Sequence, residues 1–326
     1  MSLTKSAPVT LTWTGNGSLW QTKSGQSSWT ADITSADTGF FTGDKVIFTA
    51  GASNKTVSIT GTVKPRAIEI QGGDYVFNSG TEGTITGDGS LTLNSGSLSM
   101  NLANASWKGT INVKAGELKF AQDGLGTGKI TLNNGTTLSW LAGNQQDVSS
   151  RINWEADSHV TLNIAGAEDK VIFGTSIANK AHVTKLGNGT MILNGSARIT
   201  GSLTIGTKNL SGGIVSMTGG GSTTPAAVKG AIDVVNGILS LDAVSMTGWG
   251  EAANNVSSLA IRENGEVRFT TSDNQTFTDL TVTMEGGTLS GSTGRIDFYG
   301  QTTQVKTLAS SKESIISTQV SLRQDD

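Results

Sequence analysis

Apolar and polar residues alternate along this chain in runs of four to six positions that stop abruptly and then resume. In "GDGSLTLNSGSLSM", Gly87 to Met100, Leu91 and Leu93 flank a threonine, an Asn-Ser-Gly step intervenes, and Leu98 and Met100 take up the alternation again. Side chains of a strand point alternately to its two faces, so this period of two marks half-buried β-strands. Runs of the same kind predict strands at Thr56–Thr60, Ala67–Ile70, Ile111–Val113, Glu117–Phe120, Lys129–Leu132, Val160–Ile164, Thr190–Leu193 and Ser202–Ile205. Others follow at Ile214–Met217, Ile232–Val235, Ile238–Leu241, Leu259–Ile261, Glu266–Phe269, Leu280–Met284 and Arg295–Phe298. Almost nothing keeps a helical period; the one helical candidate, Gly248–Leu259, reads better as an irregular turn.

A recurring phrase, Gly-x-Leu/Ile/Val-x-apolar, introduces the strands. It stands at Gly89, Gly116, Gly128, Gly189, Gly201, Gly213, Gly237, Gly265 and Gly287. Its spacings fall mostly near multiples of about a dozen, so two phrases make a unit of roughly 20–25 residues, too short for a propeller blade and suited to one coil of a β-solenoid. In such a coil, Gly and Asn turn the corners, inward residues stack on their equivalents in the next coil, and outward positions are left to Thr, Ser, Asn or Lys. The fold class is therefore all-β, a parallel β-helix. A sandwich of antiparallel hairpins also has short strands and frequent turns. At 326 residues it would need two domains and a change of composition between them, and none is visible.

Composition narrows the partners. Of 326 residues 43 are glycine and only three proline, and Ser with Thr make about a quarter, yet Val, Ile, Leu and Thr keep returning between the glycines, unlike a disordered chain. The 23 basic and 26 acidic residues are scattered singly, with no stripe to neutralise a run of phosphates, so nucleic acid is excluded as a partner. No cysteine is present, which removes disulfides, thiolate metal sites and cysteine nucleophiles and suits export through an oxidising compartment. No apolar run is long enough to span a bilayer, and no membrane insertion by this segment is expected. Residues 1–10 lack an apolar signal region and read as a leader or tag remnant, 11–322 as a single β-helix domain with cap and first coils at 11–80, and 323–326 as a frayed, truncated end.

The N-terminal segment adds a family. Trp13, Trp20 and Trp29 precede a phrase formed by Phe40/Phe41, Gly43, Asp44, Val46 and Phe48; Val57, Gly61 and Val63 follow, then Pro65, Ile68, Ile70, Tyr75 and Phe77. This order resembles the opening of bacterial autotransporter passenger domains built from passenger-associated strand repeats. "TKLGNGTMILNG", Thr184–Gly195, is similar to the repeat, and "GLGTGKITLNNGTTL", Gly124–Leu138, to the phrase between repeats. The resemblance covers residues 10–240, with weaker motifs to Leu322. It implies a right-handed parallel β-helix on the surface of a Gram-negative bacterium, exported across the outer membrane, with an aromatic-rich N-terminal cap. It also implies an adhesin or stalk whose ligands lie on host or neighbouring cells, glycans among them. The 12-stranded barrel of the family is absent, so a passenger fragment or a differently anchored relative is expected. The strand Ile315–Leu322 carries no aromatic plug, and fraying or end-to-end self-association is expected there.

Parallel β-helices also carry polysaccharide lyases and glycosidases, the alternative reading, whose sites need carboxylates projecting from neighbouring coils. Asp157, Asp169, Asp233, Asp242, Glu263, Glu266, Asp273, Asp279, Glu285 and Asp297 are available but do not recur at one coil period with a Lys or Arg partner, so no catalytic residue is assigned. His159 and His182, about one coil apart, are expected on one face as an exposed polar stack, without the third ligand that a metal needs. Asp44 and Asp88, the latter in a "GDG" like those of calcium-binding repeats, read as turn formers because the Asp is not repeated every nine residues. The triplets at Asn16, Asn54, Asn104, Asn134, Asn188, Asn194, Asn255 and Asn274 arise by chance in so Asn-, Ser- and Thr-rich a chain. No Ser-centred hydrolase motif occurs. Trp13, Trp20, Trp29, Trp107, Trp140, Trp154 and Trp249 would suit a sugar-stacking row, but three of them crowd the first 30 residues, where covering the open first coil is the better use. No cofactor, metal or binding residue is assigned.

Overall fold

The computed structural model describes residues 7–23, 25–32, 38–195, 197–218, 226–248, 255–272 and 274–323. Strand makes up 52% of the chain and helix 1%. The helical part among the described residues is one 3-10 turn, Ser149–Arg151. The fold is a parallel β-solenoid of stacked coils, about 11 turns in all, divided between two compact units. The first holds the chain up to Asn144 with Arg151–Asn153, the second Gln145–Ser150 and everything from Trp154 onward. Half of Gly248–Leu259, residues 249–254 with Trp249, lies outside the described residues, as does Asp273; Leu259 itself belongs to the strand Ser258–Phe269.

In the first unit, alternation sets the core directly. Leu11, Val46, Ile68, Leu91, Ile111 and Ile130 are register partners in sequence and form one column, with every member nearly or fully buried. A second column runs Tyr75, Leu98, Leu118, Leu138, and each step from Leu98 onward is 20 residues. Thr62–Val63 and Thr84–Ile85 pair as a further parallel ladder. Parallel strands about 4.8 Å apart put each inward side chain against its equivalents above and below, so the core is a continuous apolar stack rather than a closed centre.

The corners differ from the sequence reading in one respect. Leu91–Leu93 and Leu98–Met100 belong to one strand, Ser90–Asn101, and Ala67–Ile70 lies within Ala67–Ser79. The ladder runs through the bend because corner stacks on corner: Gly96 (φ 81°) and Gly116 (φ 89°) lie so close to the previous coil that a Cβ would sit 2.1 Å from the Gly73 oxygen and 1.9 Å from the Gly96 oxygen. Glycine here supplies positive φ and closeness together.

The aromatic residues close the first coils. Trp13, Trp20 and Trp29 are each at most 1% exposed, and Trp20 packs edge-on against Trp29, Phe40 and Phe77 at 5.4–5.8 Å between centroids. Trp29–Ala31 pairs antiparallel with Thr10–Trp13, against the parallel sense of neighbouring pairings such as Thr10–Trp13 with Lys45–Phe48, which is how a strand covers an edge that no earlier coil can pair. Asp44, buried, accepts the amide hydrogens of Val9 (3.0 Å) and Phe41 (2.8 Å), the turn-forming role expected of it. Asp88 makes no such bond among the described residues; the positive φ of Gly87 makes that corner, and Asp88 is exposed.

The second unit repeats the scheme. Val160, Val183, Leu203, Ile232, Leu259, Val282 and Val305 form one column, and Val171, Met191, Val215, Leu239, Val267, Leu289 and Ile316 another. Leu193 (1% exposed) lies between Phe173 and Met217, and Leu203 is fully buried, both inward as the alternation predicts.

Candidate functional site

Outward positions of the same strands carry the charge. Asp233 on Ala231–Leu241, Arg262 on Ser258–Phe269 and Glu285 on Thr281–Glu285 stand on three neighbouring coils of the second unit, with Arg262 and Glu285 in direct register. The Arg262 guanidinium grips Asp233 through Nε to Oδ1 (2.9 Å) and Nη2 to Oδ2 (3.2 Å), and donates from Nη1 to Glu285 Oε2 (2.5 Å). Asp233 first, then Glu285, raises the guanidinium pKa above its ordinary value. The expectation that no carboxylate recurs one coil from a Lys or Arg is therefore overturned. It failed because the steps are unequal, 29 residues from Asp233 to Arg262 and 23 on to Glu285.

Beside this triad, Glu263 Oε1 accepts from the Ser310 hydroxyl (2.7 Å) and from the Ser311 amide and hydroxyl (both 2.9 Å). These bonds, that of Ser310 foremost, pull its carboxyl down to about 2. A tight turn at 207–210, closed by Thr207 N–H to the Leu210 oxygen (2.8 Å) and Leu210 N–H to Thr207 Oγ1 (3.1 Å), holds Lys208 and Asn209 at its tip. Neither side chain has a partner among the described residues. Together these groups line a groove of about 510 Å³. A shallower trough in the first unit, about 670 Å³, has Gly96 and Gly116 in its floor and Asp74, Glu117 and Lys119 at its sides. There the charged groups are engaged internally: Asp74 accepts from the Ser97 hydroxyl (2.8 Å), and Glu117 from the Ser139 hydroxyl (2.6 Å) and the Lys119 ammonium (3.2 Å).

Most of the remaining carboxylates are engaged locally. Asp242 accepts three hydroxyls, from Ser216, Ser240 and Thr270. Asp297 (1% exposed) lies between Arg295 and Arg323. Glu266 accepts from Ser290 and Asp279 from Thr302, while Asp157 (φ 55°) and Asp279 (φ 48°) hold positive-φ turn positions. Asp169 is buried. The histidines meet as the coil spacing predicts: His159 and His182 are register partners with rings stacked 4.4 Å apart at 19°. Imidazole lone pairs lie in the ring plane, so this stacking aims them side by side rather than at a common ion. His182 Nδ1 also accepts the Ser202 amide at 3.2 Å. Among the described residues no group of three or more His, Asp or Glu is placed to hold a metal. The six described tryptophans are buried and offer no sugar-stacking row. Asn104 is buried with Oδ1 on the Ile85 amide and Nδ2 on the Gly124 oxygen, so it is a core tie and not a modification acceptor.

Lys185 is the charged residue the sequence reading passed over. It occupies an inward position between Leu162 and Ile205, is fully buried, and donates from Nζ to the carbonyl oxygens of Leu186 (2.8 Å), Gly187 (3.1 Å), Gly189 (2.9 Å) and Gly212 (3.1 Å). Burial pulls its ammonium down to about 7. Its phase was the available signal, since it lies two residues after inward Val183.

Compared with protein-family models, with curated proteins and with solved structures, the chain finds no match.

Proposed function

We propose that this chain is a non-catalytic β-solenoid displayed on the surface of a Gram-negative bacterium, a passenger-type adhesin or structural stalk that binds ligands on host or neighbouring cells. The observation that carries the reading is the state of the Asp233–Arg262–Glu285 triad. Three guanidinium N–H groups are committed to the two carboxylates, and an oxygen accepting from a guanidinium is not poised to deliver a proton. A glycosidase or lyase needs one carboxyl kept protonated as general acid, or a base free to take a proton. The alternative, a carbohydrate-active β-helix enzyme, draws on the same triad, since it places two carboxylates and a cation on successive coils. The buried tryptophans at the first coils and the phrase around Asp44 support the resemblance to passenger domains.

The test is to incubate the purified chain with a panel of neutral and acidic polysaccharides and follow reducing ends and unsaturated products, while measuring binding of the labelled chain to intact bacterial and epithelial cells. Cell binding without bond cleavage is the expected result. Cleavage that disappears in Glu285→Gln would overturn the reading in favour of the enzyme.

A further inference from the structure

We propose that the groove around Arg262 is a binding site for a neutral oligosaccharide, an inference that rests on the reading of the chain as a binding solenoid and names the ligand of its flank. The argument starts from the hydrogen-bonding capacity left over once the internal pairs are counted. Glu285 uses Oε2 on Arg262 and Glu263 uses Oε1 on the serines, so Glu285 Oε1 and Glu263 Oε2 take no hydrogen bond among the described residues. Nη1 and Nη2 of Arg262 each spend one N–H on a carboxylate and keep a second. Lys208 and Asn209 project from their closed turn with nothing engaged. The groove thus offers strong acceptors and strong donors side by side, with Glu263, Glu285 and Arg262 fixed by bonds on their far sides.

Charge selects among ligands that could use such a surface. Lys208 and Arg262 face Asp233, Glu263 and Glu285, so an anion would meet three carboxylates, and a cation would meet an ammonium and a guanidinium. A neutral polyol opposes neither. Its hydroxyls both donate and accept, so one of a vicinal pair accepts from an Arg262 N–H while its neighbour donates to Glu285 Oε1. A second shallow groove, which shares Glu263 and Asn264 and is edged by Lys312, extends the surface, as a chain of several sugar units requires. Val235 is the one apolar side chain among the described residues that line the main groove, so recognition rests on hydrogen bonds rather than on a stacking platform.

The experiment is calorimetric titration of the intact chain with four neutral hexasaccharides (of glucose, mannose, xylose and galactose), with oligogalacturonate as the anionic probe and oligoglucosamine as the cationic one. At least one neutral hexasaccharide should bind, with an affinity that hardly changes between 50 and 500 mM NaCl, because no ion pair forms. Lys208→Ala with Asn209→Ala, which removes no side-chain hydrogen bond or ion pair among the described residues, should weaken that binding about tenfold, the loss expected for a hydrogen bond to a charged group, and leave the circular dichroism melt unchanged. Failure of all four neutral sugars to bind, preferential and salt-sensitive binding of either charged probe, or an unaffected double variant would each overturn the site. Reducing ends measured in the same samples separate the two proposals. Neutral-sugar binding with cleavage would refute the non-catalytic reading and leave the site standing, whereas cell binding without any sugar binding would do the reverse.

Discussion

Replacing Lys185 by methionine tests how a buried ammonium is tolerated in an apolar column, and the outcome should depend on pH. Two terms oppose each other. Methionine removes the donor of four carbonyls; the Gly212 oxygen has no other hydrogen bond among the described residues, and that of Gly189 keeps only the Ile214 amide at 3.4 Å. Two buried acceptors left short cost about 1–3 kcal/mol each, together ~2–6 kcal/mol. Against this, the wild type carries the penalty of holding a charge where burial has pulled the pKa down to about 7 from an unfolded value of ~10.4, about 5 kcal/mol whenever both states are protonated. The sign follows from proton counting. Below pH 7 folded and unfolded chains both carry the proton and the full penalty applies; between about 7 and 10.4 the unfolded chain binds the extra proton, so wild-type stability rises with pH. The variant has no such slope. At pH 6 the two terms largely cancel, and Lys185→Met should lie within ~3 kcal/mol of wild type. At pH 9 the wild type has recovered ~2–3 kcal/mol, and the variant should be the less stable by that further amount. Urea unfolding followed by far-UV circular dichroism at both pH values reads the difference, in which all other titrating groups cancel. An equal cost at both pH values would show that the carbonyls hold the lysine charged against burial, and a variant more stable than wild type at pH 9 would refute the hydrogen-bonding argument.

Leu193→Asp should cost several kcal/mol, because it sets a carboxylate between Phe173 and Met217 with no partner; unchanged thermal unfolding would contradict the assigned face. Gly116→Ala should destabilise by more than ~2 kcal/mol, since φ 89° is strained for alanine and its Cβ would lie 1.9 Å from the Gly96 oxygen; a melt within a degree of wild type would show that this corner can open. Along Ile315–Arg323 the apolar residues Ile315, Ile316, Val320 and Leu322 are 37–82% exposed, so sedimentation velocity should show concentration-dependent association that Leu322→Glu reduces; a monomer at every concentration would count against it.

How far the fold could be read in advance follows from its periodicity. Thr190–Leu193 and Glu117–Phe120 are strands at the expected residues, because two-residue alternation survives intact when one face packs and the other is solvated. The breaks were less legible. Asn94, Ser95 and Gly96 look like the end of one strand and the start of the next in an isolated sequence. Whether the ladder continues through them depends on the coil before, where Gly72 and Gly73 make a matching bend. A corner that stacks on its equivalent keeps its backbone hydrogen bonds; the same tripeptide in a lone hairpin would not.

The site was hidden for a related reason. Arg262 is outward, as its alternation with Leu259 and Ile261 requires, but its partners can be named only once coil lengths are known. Those lengths change at the place that matters. Thr190 follows Val183 by seven positions, whereas their partners in the next coil, Leu203 and Ile214, are eleven apart. The four extra residues match the turn at 207–210 that carries Lys208 and Asn209. An insertion of this size leaves the inward columns undisturbed, since Ile205 still stacks on Lys185 and Val215 on Met191. It can therefore be accommodated without cost to the core and spent entirely on the outer surface. The irregularity that spoils a fixed-period search is thus also the wall of the groove, and in a solenoid of this kind departures from the repeat length are the better guide to a binding surface than the repeat itself.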